Sequence, residues 1–291
     1  MRKLCPESRF GTKAVWHGTH SIKGSVATPV FNSSTYKLSE DIYRGWEEGA
    51  QHTLLYSRIS SVNSEAVSAK VAALENAEDG EMFDSGMSAI TTTLLTLLSN
   101  GDHMVGSADM YGGAYGLITE DMPRFGIDAT MADIRDPNSY EAAIKPNTKL
   151  LYVETITNPV LKVCDLEAMA AIAKKHNVIA ICDNTFASPW GCNPISMGFD
   201  IVIHSGSKYL GGHSDLVGGV VVGKKELISE IFRKKMTMGG AADPHMCYLL
   251  ERGIKTLHVR MPTHAKNAAK LAQKLNSHSM IESVNHCSLP D

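Results

Sequence analysis

No apolar run in this chain reaches the roughly 20 residues that a membrane-spanning helix needs. The N-terminus, Met1-Arg2-Lys3-Leu4-Cys5-Pro6, lacks the apolar core of a secretory signal. Neither sign of charge dominates: 28 Lys and Arg stand against 31 Asp and Glu, for a net charge of -3. That balance offers no basic footprint for nucleic acid. The cysteines, Cys5, Cys164, Cys182, Cys192, Cys247 and Cys287, include no C-x-x-C pair, so metal spacing is missing. Free thiols in a reducing cytoplasm are therefore expected. His17 and His20 form the one close histidine pair, with no third ligand nearby, and no metal is expected there. No G-x-G-x-x-G follows the first predicted strand, and Gly206-Ser207-Lys208 lacks the upstream glycine of a P-loop, which argues against a nucleotide site. There is no internal repeat and no low-complexity tract.

What is present is ordinary globular composition, 43% hydrophobic and 20% charged over 291 residues, enough for one large domain or two smaller ones. Residues 1–60 read as an irregular arm, with Thr28-Pro29-Val30-Phe31 and Trp46-Glu47-Glu48-Gly49 breaking any period. An ordered arm needs something to pack on, and a neighbouring subunit is the natural candidate. From Ser64 to Asn76 the spacing is helical. Strand-like runs follow at 81–85, 103–107, 128–133, 149–155, 178–184 and 200–205, with helical stretches at 87–98, 113–122, 136–145 and 165–176. This alternation predicts an α/β fold with a mostly parallel sheet covered on both faces. Residues 218–223 read as one more strand, and 224–236 as a basic amphipathic helix. Residues 245–276 read as helical with an interruption at Gly253, and 285–291 as loop. The expected division is an arm over 1–60, a large domain over 61–242 and the start of a small, truncated domain over 243–291.

Ligands of open α/β sheets bind at the carboxyl ends of the strands. The first strand ends in Asp84-Ser85-Gly86-Met87-Ser88-Ala89, which opens a helix whose N–H groups suit an anion. Later ends carry Asp109-Met110-Tyr111-Gly112-Gly113, Glu154-Thr155-Ile156-Thr157-Asn158-Pro159, Asp183-Asn184-Thr185, and Ser205-Gly206-Ser207-Lys208. A lysine flanked by hydroxyls at a strand exit can point into a cleft, be desolvated and act as an amine nucleophile. An anion cradle, a tyrosine, an asparagine, a carboxylate, two hydroxyls and a lysine form the set that pyridoxal phosphate (PLP) requires. The lysine condenses with the aldehyde, the carboxylate keeps the pyridine nitrogen protonated, and an aromatic ring stacks on the pyridine.

With Tyr56-Ser57-Arg58, Ser205-Gly206-Ser207-Lys208-Tyr209-Leu210-Gly211-Gly212-His213-Ser214-Asp215 and Arg252-Gly253-Ile254-Lys255-Thr256-Leu257 added, the order and spacing resemble the Cys/Met-metabolism family of PLP enzymes. That family includes cystathionine γ-synthase, cystathionine γ-lyase and methionine γ-lyase. The similarity runs from about Phe10 to the last residue. It implies a PLP fold type I (aspartate-aminotransferase-like) large domain. It also implies a C–S lyase or γ-replacement enzyme acting on sulfur amino acids or activated homoserine. By this resemblance Lys208 carries PLP and shuttles protons, and Asp183 pairs with the pyridinium nitrogen. Tyr111 stacks on the ring and assists at the leaving group. Gly86, Met87 and Ser207 bind phosphate, Ser205 supports the ring, and Asn158 lies near the cofactor oxygen or the substrate carboxylate. Tyr56 and Arg58 reach the phosphate of a neighbouring subunit's site, which implies a homodimer with shared sites, doubled to a homotetramer.

Two departures stand out. Arg58 is usually followed closely by Asn-Pro-Thr; here Ile59-Ser60-Ser61-Val62-Asn63-Ser64 follows. Family members also run on through a complete small domain that supplies the arginine for the substrate carboxylate, and Arg252 and Arg260 lie in the wrong segment for that role. A PLP-binding but catalytically silent paralogue is therefore an alternative expectation. Methionine γ-lyases typically carry a cysteine two residues after the stacking tyrosine; Gly113 stands here, which tilts the expectation towards cystathionine chemistry, with methionine γ-lyase as the alternative.

Overall fold

A computed structural model describes residues 1–47 and 53–289. Its strands are β1 (Asp79–Phe83), β2 (His103–Ser107), β3 (Asp128–Ala132), β4 (Thr148–Glu154), β5 (Ile179–Asp183), β6 (Ile201–Ser205) and β7 (Gly219–Gly223). They form one sheet in the order β1-β7-β6-β5-β4-β2-β3. The five strands from β6 to β3 pair in parallel, and β7 runs antiparallel to both β1 and β6. The mostly parallel sheet expected from the alternation is present.

The central strands β4 to β7 are largely apolar because both faces are covered, whereas the edge strand β3 is exposed at Asp128 and half-buried over the next three residues. Alternate residues serve opposite layers: Leu151 and Val153 of β4 join one core cluster with Val67, Val71 and Met169, while Leu150 and Tyr152 join another with Leu94 and Ile118. The helices are α1 (Phe10–Trp16), α2 (Glu40–Glu47), α3 (Val62–Glu75), α4 (Gly86–Leu97), α5 (Gly112–Gly116), α6 (Pro137–Ala143), α7 (Leu166–His176), α8 (Ser188–Gly191), α9 (Lys225–Met238), α10 (Pro244–Ile254) and α11 (Leu257–Asn276). No helix among the described residues is long and apolar enough to cross a membrane.

Local chemistry sets the ends. α3 begins two residues before Ser64 because Ser61 and Ser64 form a reciprocal capping box, and it ends at Asn76 in the left-handed conformation. The single helix expected over 113–122 is instead α5, a π turn over Leu117–Asp121 and a 3-10 turn over Met122–Phe125. Pro123, which has no N–H to donate, and Gly126 at φ 71° close that segment. The break expected at Gly253 falls two residues later, at Lys255-Thr256. Gly253 itself is helical, and a Cβ there would lie 2.2 Å from the Gly211 carbonyl oxygen, so the glycine serves close approach.

The arm is less irregular than its composition suggests, since it contains α1 and α2. α1 packs on α3 and α11. Gly18, at φ 77°, brings the next turn onto α3; a Cβ there would lie 2.4 Å from the Ala66 carbonyl oxygen. Thr19 Oγ1 donates to Glu251 at 3.0 Å, and the buried Lys70 reaches the Val15 carbonyl at 3.3 Å and Glu251 at 3.8 Å. Of the turn expected over 46–49, Trp46 and Glu47 close α2, while Glu48 and Gly49 lie outside the described residues. So do Pro290 and Asp291 of the expected C-terminal loop.

Candidate active site

Ser85 caps α4: its hydroxyl accepts from the Ser88 amide at 3.1 Å, and its carbonyl accepts from Ala89 at 3.1 Å. The Gly86 and Met87 amides precede these bonds and stand at the positive end of the helix. A Cβ at Gly86 would sit 3.0 Å from Ser205 Cβ, so glycine lets this helix end rest against the end of β6.

Two carboxylates lie side by side next to that cradle, because Glu154 and Asp183 are register partners at the ends of β4 and β5. Asp183 Oδ1 accepts from the Thr185 amide at 2.9 Å, and Tyr152 Oη lies 3.5 Å from Oδ2. Burial raises the Asp183 pKa, opposed by the hydrogen bonds from Thr185. Glu154 Oε1 accepts from the Tyr111 amide at 2.7 Å and Oε2 from the Asn158 amide at 3.0 Å. Burial, and then the neighbouring Asp183 charge, push the Glu154 carboxyl up to about 8.

The lysine loop leaves β6 as a tight turn. The Lys208 amide donates to the Ser205 carbonyl at 3.3 Å, and the Gly212 amide to the Lys208 carbonyl at 2.7 Å. Ser207 Oγ accepts from the Gly218 amide at 3.2 Å, which leaves its own hydrogen free to donate. Lys208 lines the cleft, yet it is exposed rather than desolvated. Its turn stands beyond the strand end, on the open side of the sheet, and its Nζ has no protein hydrogen-bond or ion-pair partner among the described residues. Tyr111, 44% exposed, folds over Gly113, where a Cβ would lie 2.6 Å from the ring carbon Cε1.

A cleft of about 310 Å³ joins these groups. Gly86, Met87, Tyr111, Asn158, Asp183, Ser205, Ser207 and Lys208 all line it. Tyr56 and Arg58 do not. Arg58 lies over the Tyr56 ring at 5.5 Å and donates to the Met236 carbonyl at the end of α9, and both side chains are exposed.

The family described as Cys/Met metabolism PLP-dependent enzyme matches residues 11–291. The chain belongs to that family. It is 44% identical over 263 residues to a cystathionine gamma-lyase of Bacillus subtilis (strain 168), covering 90% of this chain and 67% of that protein. An L-methionine gamma-lyase of Porphyromonas gingivalis is 37% identical, over 97% of this chain and 72% of its own length. Among solved structures, a cystathionine gamma-lyase from Lactobacillus plantarum complexed with L-serine superposes with a TM-score of 0.86 at 40% identity, covering 94% of this chain and 70% of that one. A Campylobacter jejuni structure containing N'-pyridoxyl-lysine-5'-monophosphate has a TM-score of 0.91 at 29% identity, over 97% of this chain and 79% of that one. The family's PLP suits the residues present: the Gly86 cradle that a Cβ would crowd, the half-buried Asp183 carboxylate and a lysine amine without a protein partner among the described residues all face one cleft.

Sequence reasoning assigned no role to two further groups. Thr185 donates its amide to Asp183 and accepts the Ser205 amide on Oγ1 at 2.8 Å, tying the ends of β5 and β6 together. Glu154 was visible as a charged residue ending an apolar strand, and that was its only signal.

Proposed function

We propose that this chain is a PLP-dependent enzyme that breaks or exchanges the bond from carbon to sulfur, or to an equivalent γ-substituent, in sulfur amino acids or activated homoserine, with cystathionine as the leading substrate. The reading is carried by one observation: Lys208, Asp183 and the N-terminus of α4 converge on a single cleft. The relatives named cystathionine gamma-lyase and methionine gamma-lyase support the substrate class.

PLP, when bound, supplies an electron-withdrawing ring that stabilises negative charge at the substrate's α-carbon. The Gly86 and Met87 amides and the Ser207 hydroxyl hold the phosphate by hydrogen bonds at the helix terminus. Asp183 holds the proton on the pyridine nitrogen. Burial disfavours its charge in the absence of a cation, and a protonated ring nitrogen is the partner that offsets that cost. Tyr111 covers one face of the ring, and its hydroxyl moves a proton at the leaving sulfur. Ser205 supports the ring, and Asn158 binds the cofactor oxygen or the substrate carboxylate. Lys208 Nζ would hold the cofactor and would serve as the base for the proton at the substrate's α-carbon.

Tyr56 and Arg58 complete a neighbouring subunit's site, which makes a dimer the smallest active unit, doubled to a tetramer. Their exposure on the arm, away from this chain's own cleft, supports that role. The cysteines are all free, which suits a reducing cytoplasm.

The test is the visible absorption spectrum of the purified protein before and after L-cystathionine. A yellow band that shifts with substrate, and that is lost in Lys208→Ala, is the expected result. A yellow band indifferent to substrate supports a PLP-binding protein without turnover. A colourless protein that cannot be reconstituted overturns the reading.

A further inference from the structure

Glu154 lies beneath the cleft and is 4% exposed. Its two oxygens each take one backbone amide, and the two amides come from different loops. Tyr111 follows β2, whereas Asn158 follows β4. Both loops present a cleft-lining side chain; Lys162 Nζ also joins them by donating to Asp109 Oδ2 at 2.5 Å, but it is Glu154 that holds the Tyr111 and Asn158 amides themselves. A carboxyl group offers an acceptor lone pair on each oxygen, so it can satisfy two N–H donors at once. Glutamine cannot, because its amide nitrogen would face one of the two donors. Aspartate is one methylene shorter and cannot span both. Glu154 enters no ion pair among the described residues, so these amides are its specific partners. The neighbouring Asp183 carboxylate opposes the charge, and a group kept there for packing alone would be better apolar.

We infer that Glu154 is a positioning residue: its carboxylate ties the Tyr111 loop to the Asn158 loop and so sets where the Tyr111 ring stands over the cofactor. This rests on the proposed stacking role of Tyr111. The Tyr111 ring is half-exposed and seated on Gly113, which has no side chain to hold it. Its backbone is held on two sides: Glu154 receives the amide at 2.7 Å, tying it to the other loop, while the carbonyl accepts from the Tyr115 amide of α5 at 2.9 Å.

The experiment compares wild type, Glu154→Gln, Tyr111→Ala and the double variant, each as the full chain reconstituted with PLP. The readouts are the visible circular dichroism of the bound cofactor, the PLP dissociation constant and borohydride fixation to Lys208. Glu154→Gln is expected to retain fixation, lose cofactor dichroism and weaken PLP binding by about tenfold or more, the usual effect of leaving a buried N–H donor without its acceptor. In the Tyr111→Ala background the same substitution is expected to change affinity by no more than about twofold. If Glu154→Gln does not fold, Glu154→Asp is read by the same criteria. Wild-type dichroism and affinity in Glu154→Gln overturn the inference, as does an equal loss in both backgrounds, which would mark simple structural damage. A wild type that takes up no PLP overturns the proposed function itself, and this inference with it.

Discussion

Gly253→Ala sets two effects of opposite sign against each other. Gly253 lies within α10, where alanine is favoured over glycine by about 1 kcal/mol of helix propensity. By propensity alone the substitution stabilises. The structure predicts the reverse. A Cβ at 253 would lie 2.2 Å from the Gly211 carbonyl oxygen, 2.8 Å from that of Leu210 and 2.9 Å from the Gly211 carbonyl carbon. All three are backbone atoms, so no rotamer change relieves the clash. A carbon and a carbonyl oxygen need about 3.3 Å, so α10 and the lysine loop must part by about 1 Å. Overpacking of this kind costs about 3 kcal/mol at the upper end of its range, which leaves a net loss of about 2 kcal/mol. At about 2–4 °C per kcal/mol for a chain of this size, the melting temperature should fall by about 4–8 °C. The same displacement strains the Arg260 guanidinium, which spans the contact by donating to the Gly253 carbonyl at 2.9 Å and to Leu210 at 3.4 Å. PLP content after dialysis should therefore fall together with stability. The assay is thermal unfolding followed by circular dichroism, with and without PLP, alongside cofactor content. A melting temperature that rises by about 2 °C with undiminished PLP would refute the close-approach argument.

Two further expectations concern the arm. Mixing inactive Arg58→Ala and Lys208→Ala oligomers should restore activity to about a quarter of wild type, since half of randomly formed dimers carry one intact shared site; no recovery from an active parent rules the shared site out. Lys70 is buried, and that burial, opposed by Glu251, pushes its pKa down from 10.5 to about 8. Between those values the unfolded chain binds more protons than the folded one, so this group makes stability rise with pH from about 8 to 10.5. Lys70→Met should flatten that rise in urea unfolding, and parallel pH curves for the two proteins would contradict the buried, partly neutralised lysine.

Strand positions were readable to within about two residues because each strand is a short apolar run bounded by turn residues, and burial on both faces leaves no ambiguity of face. Most of the cleft was readable for the same reason: once the strand ends are known, Gly86, Asp183 and Lys208 fall on one edge of the sheet. What escaped depends on tertiary contact. Nothing local announces that Gly253 serves a neighbouring carbonyl rather than a helix break. Glu154 looked like one more strand-end carboxylate, since its amide partner at Tyr111 is remote in sequence. The helix α1 is a short segment stabilised from outside its own sequence, as Gly18 and Thr19 illustrate by docking on α3 and Glu251. The exposure of Lys208 depends on how its turn stands relative to the sheet, which no residue pattern encodes.

The placement of β7 bears on the order in which the molecule is assembled. Among the described strands, β1 pairs with β7 alone, Asp79 opposite Gly223. The helix end that cradles an anion is thus joined to the sheet by β7, the last of the described strands in chain order. On a ribosome, the segment carrying Gly86 emerges long before its frame exists. The segment carrying Lys208 emerges shortly before β7. Such distant pairing is slow, because the long intervening loop must close before any contact rewards it. A nascent chain stopped short of residue 219 already contains both halves of the cleft but lacks the strand that pairs β1 to the rest of the sheet. Capture of the cofactor is therefore a late event in biogenesis, and it reports that the sheet has been completed.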